Sequence, residues 1–66
     1  MHIQLNGERT SVANGTTIGE LIRSKGLDPA TVVVEHNLTI TAAADWDTIT
    51  LKANDALEVL RFVGGG

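Results

Sequence analysis

The group with the widest chemical scope in this chain is not a side chain. The 66 residues close on Gly64-Gly65-Gly66, directly after an apolar, β-favouring stretch, Ala56 to Val63. Glycine has no Cβ, so such an arm, about 10 Å long when extended, can thread a narrow channel. A terminal carboxylate at its tip could enter another protein's active site and attack the α-phosphorus of ATP, releasing pyrophosphate. Sulfur displacing AMP from the acyl-adenylate would leave a thiocarboxylate, a far better nucleophile. Cysteine usage sharpens the point. A protein carrying sulfur on a side chain needs a thiol, and this chain has none. Any sulfur it handles must sit on the backbone terminus. Taken alone, a glycine tail is only a flexible end about half the time; its position directly after a strand is what gives it weight.

The other reactive residue types are poorly arranged. Glu35 and His36 are neighbours on a β-branched stretch, so their side chains point to opposite faces and make a poor metal pair. His2, near the terminus, reads as solvated. Gly15-Thr16-Thr17 could hold an anion at a helix start, but no Walker-type lysine accompanies it, and capping explains it better. No Ser/His/Asp set has recognisable spacing. No catalysis by the isolated chain, no metal and no permanently bound cofactor are expected.

The elements that must position the tail are legible in turn. His2 to Leu5 alternates polar and apolar as a half-buried strand does, and Asn6-Gly7 is a strong hairpin signal. Arg9 to Ala13 reads as the returning strand, with Val12 as its core residue. Thr17 and Glu20 stand in capping-box spacing, and Ile18, Leu21 and Ile22 form one apolar stripe. Gly26, Leu27 and Pro29 end this helix after about two and a half turns by a Schellman-type stop. Thr31 to His36 predicts a third strand, Asn37 a turn, and Thr39-Ile40 a short extension. Thr41 to Trp46 suggests one helical turn, with Trp46 closing an edge of the core. Thr48 to Leu51 reads as a short edge strand, Ala53-Asn54-Asp55 as a turn, and Ala56 to Val63 as the last strand.

This order predicts an α+β fold of the β-grasp (ubiquitin-like) type, a mixed four- to five-stranded sheet with one main helix packed on one face. The right-handed crossover rule places the strand after the helix parallel to a hairpin strand. Residues 1–63 would form the domain and 64–66 a flexible tail. A domain this small buries only about 60% of its unfolded surface, too little to enclose a substrate cavity readily, which points to a carrier or binding module. The net charge of −3 and the absence of a basic run disfavour nucleic acid. No stretch has the length and apolarity of a membrane span or an export signal, so a cytoplasmic location is expected.

Over nearly its whole length the sequence resembles the ThiS/MoaD family of ubiquitin-like sulfur carriers. The resemblance lies in I-Q-L-N-G-E (Ile3 to Glu8), G-T-T-I-G-E-L-I (Gly15 to Ile22), V-V-E-H-N (Val33 to Asn37), Trp46, and A-N-D-A-L-E-V-L-R-F-V-G-G-G (Ala53 to Gly66). The stretch Thr41 to Asp45 departs from it, since the family often has a proline and a basic residue there. Compactness favours the ThiS branch. The resemblance implies that Gly66 is adenylated by a ThiF-type enzyme using ATP and becomes a thiocarboxylate through a sulfur donor. It then implies delivery of that sulfur to a ThiG-type thiazole synthase in thiamine biosynthesis. The alternatives are a MoaD-like carrier for molybdopterin and a ubiquitin-like protein modifier.

Alternation along the last strand sets Leu57, Val59 and Arg61 on one side and Glu58, Leu60 and Phe62 on the other. Leu57 and Val59 are expected to face the helix. Leu60 and Phe62 would form an exposed patch beside the tail, with Glu58 and Arg61 orienting a partner. The competing expectation is that Leu60 and Phe62 complete the core.

Overall fold

Two asparagines set the ends of the sheet. Asn6 (φ 50°) and Gly7 (φ 81°) form one two-residue turn, and Asn37 (φ 49°) and Leu38 (φ 72°) form another. Positive φ at both central residues matches the right-handed twist of the flanking strands. The computed structural model describes residues 1–61. Along the chain run β1 (His2–Leu5), β2 (Glu8–Ser11), α1 (Ile18–Ser24), a 3-10 turn (Pro29–Thr31), β3 (Val32–His36), β4 (Thr39–Thr41), a second 3-10 turn (Ala43–Thr48) and β5 (Ala56–Arg61). The sheet order is β2-β1-β5-β3-β4.

The helix begins as its capping box requires. Thr17 Oγ1 accepts from the Glu20 N–H, and Glu20 Oε1 accepts from the Thr17 N–H, each at 3.1 Å. It ends in a Schellman motif: Gly26 donates to Arg23 O (3.0 Å) and Leu27 donates to Ile22 O (3.4 Å), with Gly26 at φ 69°. The regular helix has seven residues, slightly less than the expected length because Lys25 already serves as the C-cap. Asp28 then caps the first 3-10 turn through Oδ1, which accepts from the Ala30 N–H (3.0 Å). Pro29 opens that turn, where its missing N–H costs nothing.

Helix and sheet close over a single core of Ile3, Ile18, Leu21, Ile22, Val32, Val34, Trp46, Leu51 and Leu57. Trp46 is buried and donates from Nε1 to Thr41 Oγ1 at 3.1 Å, so it closes the core edge as expected. Val12 packs against the core half-buried, but just beyond β2, which ends at Ser11.

One expectation is corrected. Residues 48–51 do not form a strand: apart from an isolated bridge between Thr17 and Thr50, they act as a connection anchored by the buried Leu51. Their backbone bonds go to the helix start, with Ile18 N–H donating to Ile49 O and Leu51 N–H to Thr16 O. The crossover expectation holds in direction: β3 runs parallel to the hairpin strand β2 within the same sheet, although it pairs with β5, antiparallel, and not with the hairpin. The strand that pairs in parallel with the hairpin is β5, alongside β1. The connection after the helix carries the chain past the centre of the sheet, and the last strand fills the slot left open, burying Leu57 completely.

Candidate functional site

The strand that leads into the tail is the central strand of the sheet. β5 pairs in parallel with β1 through Gln4–Ala56 and Leu5–Leu57. On its other side it pairs antiparallel with β3 from His36–Leu57 to Val32–Arg61. β1 ends at Leu5, but its ladder is prolonged by a side chain. Asn6 N–H donates to Leu57 O (2.9 Å). The Asn6 carboxamide then imitates a peptide group, with Oδ1 accepting from the Val59 N–H (2.7 Å) and Nδ2 donating to Val59 O (3.3 Å).

Asn37 treats the other end of β5 alike. Its N–H donates to Ala56 O and its Oδ1 accepts from the Ala56 N–H, both at 2.8 Å. Each asparagine tolerates the left-handed conformation of its turn and spends its amide on β5.

Asp55 anchors the start of the same strand and was not singled out by sequence reasoning. Its carboxylate lies 2.8 Å from His36 Nε2 and accepts from the Lys52 N–H (2.9 Å) and from Asn37 Nδ2 (3.1 Å). Burial alone would raise this carboxyl. The hydrogen bonds from His36, Lys52 and Asn37, with the attraction of the His36 ring, outweigh burial and hold it below the ordinary aspartate value. His36 is thus a structural partner, and among the described residues no three metal-ligating side chains gather. The turn residues of Ala53-Asn54-Asp55 were recognisable; the long-range partners of Asp55 had no local signal.

The residues expected to form a docking patch divide between faces. Leu57 is buried and Val59 half-buried toward the helix. Glu58 and Leu60 lie on the open face, where Leu60 keeps 55% of its surface exposed; the competing expectation of a core role fails for it. Arg61 does not join them. It lies on the helix side, where it lines a groove of about 410 Å³ with Leu5, Leu21, Ile22, Leu27, Val59 and Lys25. Phe62, Val63 and the tail residues Gly64, Gly65 and Gly66 lie outside the described residues.

On the open face, Val33 pairs with Leu60, Glu35 with Glu58, and Glu35 with Ile40 on its other side. Apolar residues on three strands, Leu60, Val33 and Ile40, thus flank two directly opposed carboxylates. No helix among the described residues is long and apolar enough to cross a membrane.

Comparison with known proteins gives this architecture a family. The ThiS family model matches residues 3–66. The sulfur carrier protein ThiS of Bacillus subtilis is 35% identical over 65 residues, covering 97% of this chain and 98% of that protein. A thiazole synthase of Magnetococcus marinus is 36% identical over 66 residues. The chain spans about a fifth of the length of that synthase and of a second one, from Paramagnetospirillum magneticum. The crystal structure of the thiamine biosynthesis protein ThiS from Geobacter metallireducens superposes with a TM-score of 0.85 at 32% identity over all of both chains. With a mixed five-stranded sheet, one helix on one face and a family match running to its last residue, the chain belongs to the ThiS family, the sulfur carrier proteins of thiamine biosynthesis.

Proposed function

We propose that the chain carries sulfur as a thiocarboxylate on the C-terminal carboxyl of Gly66 and delivers it for thiazole formation. The observation that carries this reading is the family match through residue 66, on a chain whose last strand is clamped on both sides before the glycines begin. The Gly66 carboxylate attacks the α-phosphorus of ATP in the active site of a ThiF-type adenylyltransferase, and pyrophosphate leaves. Sulfur from a donor then displaces AMP. The chain itself is not an enzyme: it supplies the arm, 64–66, and a folded body, 1–63, to be docked. ATP belongs to the activating partner, and all of this takes place in the cytoplasm.

A ThiG-type thiazole synthase receives the sulfur. Relatives named thiazole synthase contain a stretch that matches this whole chain. Two units on one polypeptide meet at high effective concentration, which supports a direct encounter of carrier and synthase. Glu58 and Leu60 on the open face, with Phe62, serve as docking residues, and Arg61 acts from the opposite side.

The test is the mass of the C-terminus. Purified protein is incubated with ATP, a ThiF-type enzyme and a sulfur donor, and its terminal peptide is fragmented. Replacement of one oxygen by sulfur at Gly66 supports the proposal. An unchanged mass, with the activating enzyme shown to be competent on its own carrier, refutes it. A chain lacking Gly65 and Gly66 should remain unmodified.

A further inference from the structure

The two hairpins of this chain make an internal comparison. Both use a two-residue turn opened by asparagine with both φ values positive, but Gly7 occupies the second place in one and Leu38 in the other. A leucine there brings its Cβ against the neighbouring carbonyl, a conformation that glycine adopts freely. Leu38 is also 90% exposed, and Ile40, two residues on, is 69% exposed. The first turn shows the unstrained solution within the same chain. Two local rules are therefore broken together, and among the described residues Leu38 and Ile40 stay largely uncovered; such breaks gather where a residue serves something outside the chain.

The charges around the turn select the occupant. Ile40 sits opposite Glu35, which faces Glu58 on its other side. A second copy of this chain would bring like carboxylates together on a molecule already at −3. A partner with an apolar socket and a basic rim meets no such penalty.

We propose that Leu38 and Ile40 form a docking knob that enters an apolar, basic-rimmed socket on the thiazole synthase. This rests on the carrier reading above and names the contact that orients the carrier on its acceptor. The turn lies at the Ala56 end of β5, away from the tail. Roughly 17 Å of strand, at about 3.3 Å per residue, runs from Ala56 to Arg61, the last described residue. Contact at both ends of the open face fixes the direction in which the glycine arm approaches.

The experiment is titration of the full chain and its variants into purified thiazole synthase by calorimetry, with thermal unfolding of each variant alongside. Leu38→Gly should raise the unfolding midpoint, because strain is relieved, and weaken binding about tenfold or more, the loss expected when one leucine no longer buries. Ile40→Thr, which suits an exposed strand, should weaken binding without unfolding. Glu35→Gln with Glu58→Gln should flatten the salt dependence of binding. If Leu38→Gly binds as tightly as the parent, or lowers the midpoint, the proposal is overturned. If the parent protein fails to bind the synthase, the proposal falls as well. The mass measurement at Gly66 then decides separately whether the carrier reading survives.

Discussion

Replacing Asn6 tests whether the strand leading to the tail is clamped as described. The side chain accepts from the Val59 N–H at 2.7 Å and donates to Val59 O at 3.3 Å. Net contributions of single hydrogen bonds lie at about 0.5–1.5 kcal/mol. Asn6 is exposed and the second bond is long, so the pair contributes about 1–1.5 kcal/mol. Asn6→Gly removes both bonds and keeps the freedom to adopt φ 50°; it should cost about that amount. Asn6→Ala removes the same bonds and adds roughly 1 kcal/mol for alanine in the left-handed region, about 2–2.5 kcal/mol together.

A domain of this size has only about 3–10 kcal/mol in hand, so Asn6→Ala should lower the melting temperature by roughly 10–20 °C. Asn6→Asp keeps the acceptor, loses the donor and should fall between the parent and the glycine variant. Denaturant unfolding gives the energies, and amide hydrogen exchange at Val59 gives the location. The reasoning is refuted if Asn6→Ala stays within about 0.5 kcal/mol of the parent and the Val59 amide remains protected. It is also refuted if glycine and alanine cost the same, since the difference between them measures the turn alone.

Three further outcomes follow from the same geometry. Asp55 is held below its ordinary value of 3.8, so its stabilisation is fully present above that value and is lost as pH falls through the lower, folded-state value. Urea midpoints should show Asp55→Asn destabilised at neutral pH, with the gap to the parent closing on acidification; a gap independent of pH contradicts this. Thr41→Val leaves the buried Trp46 N–H without its acceptor and should cost about 1–2 kcal/mol in unfolding followed by Trp46 fluorescence. Gly19→Ala gains about 1 kcal/mol of helix propensity but displaces the Asp47 carboxylate, which lies against Gly19 and pairs with Arg23 at 2.9 Å. That pair is exposed and worth about 0–1 kcal/mol, so the melting temperature should hold or rise slightly, and a marked fall would show that the Asp47 approach matters more than its exposure suggests.

What the sequence disclosed was local, and what it withheld was distant in the chain. Asn6-Gly7, the T-x-x-E box and Gly26-Leu27 work through neighbours within a few residues, and each stands where the spacing predicts. The polar links of β5 span much greater separations. Asn6 meets Val59 across 53 residues, and Asp55 meets His36 across 19. Nothing near Asn6 announces that its amide will serve a strand at the other end of the chain. The failure at 48–51 has a related cause. Thr48-Ile49-Thr50-Leu51 alternates as a strand does, but the helix start claims the backbone groups of Ile49 and Leu51. The docking patch was half legible, since alternation separates Leu60 from Val59 but cannot say how much of Leu60 a partner strand covers.

On the proposed reading, clamping β5 lets so small a body serve a reactive end. An arm can deliver its terminal atom to a buried active site only if its root is fixed, because motion at the root is magnified along the arm. A chain without disulfides must fix that root by hydrogen bonds and packing. Here the final strand occupies the centre of the sheet, with Leu57 fully buried beneath it. Asparagine amides continue its pairing at Ala56 and at Val59, so bonded partners run to the last described turn of the strand. An edge strand would leave one side to solvent and fray from the end where precision is needed. The central position costs a long-range closure, since the parallel face of β1 must wait for β5, the last of the described strands.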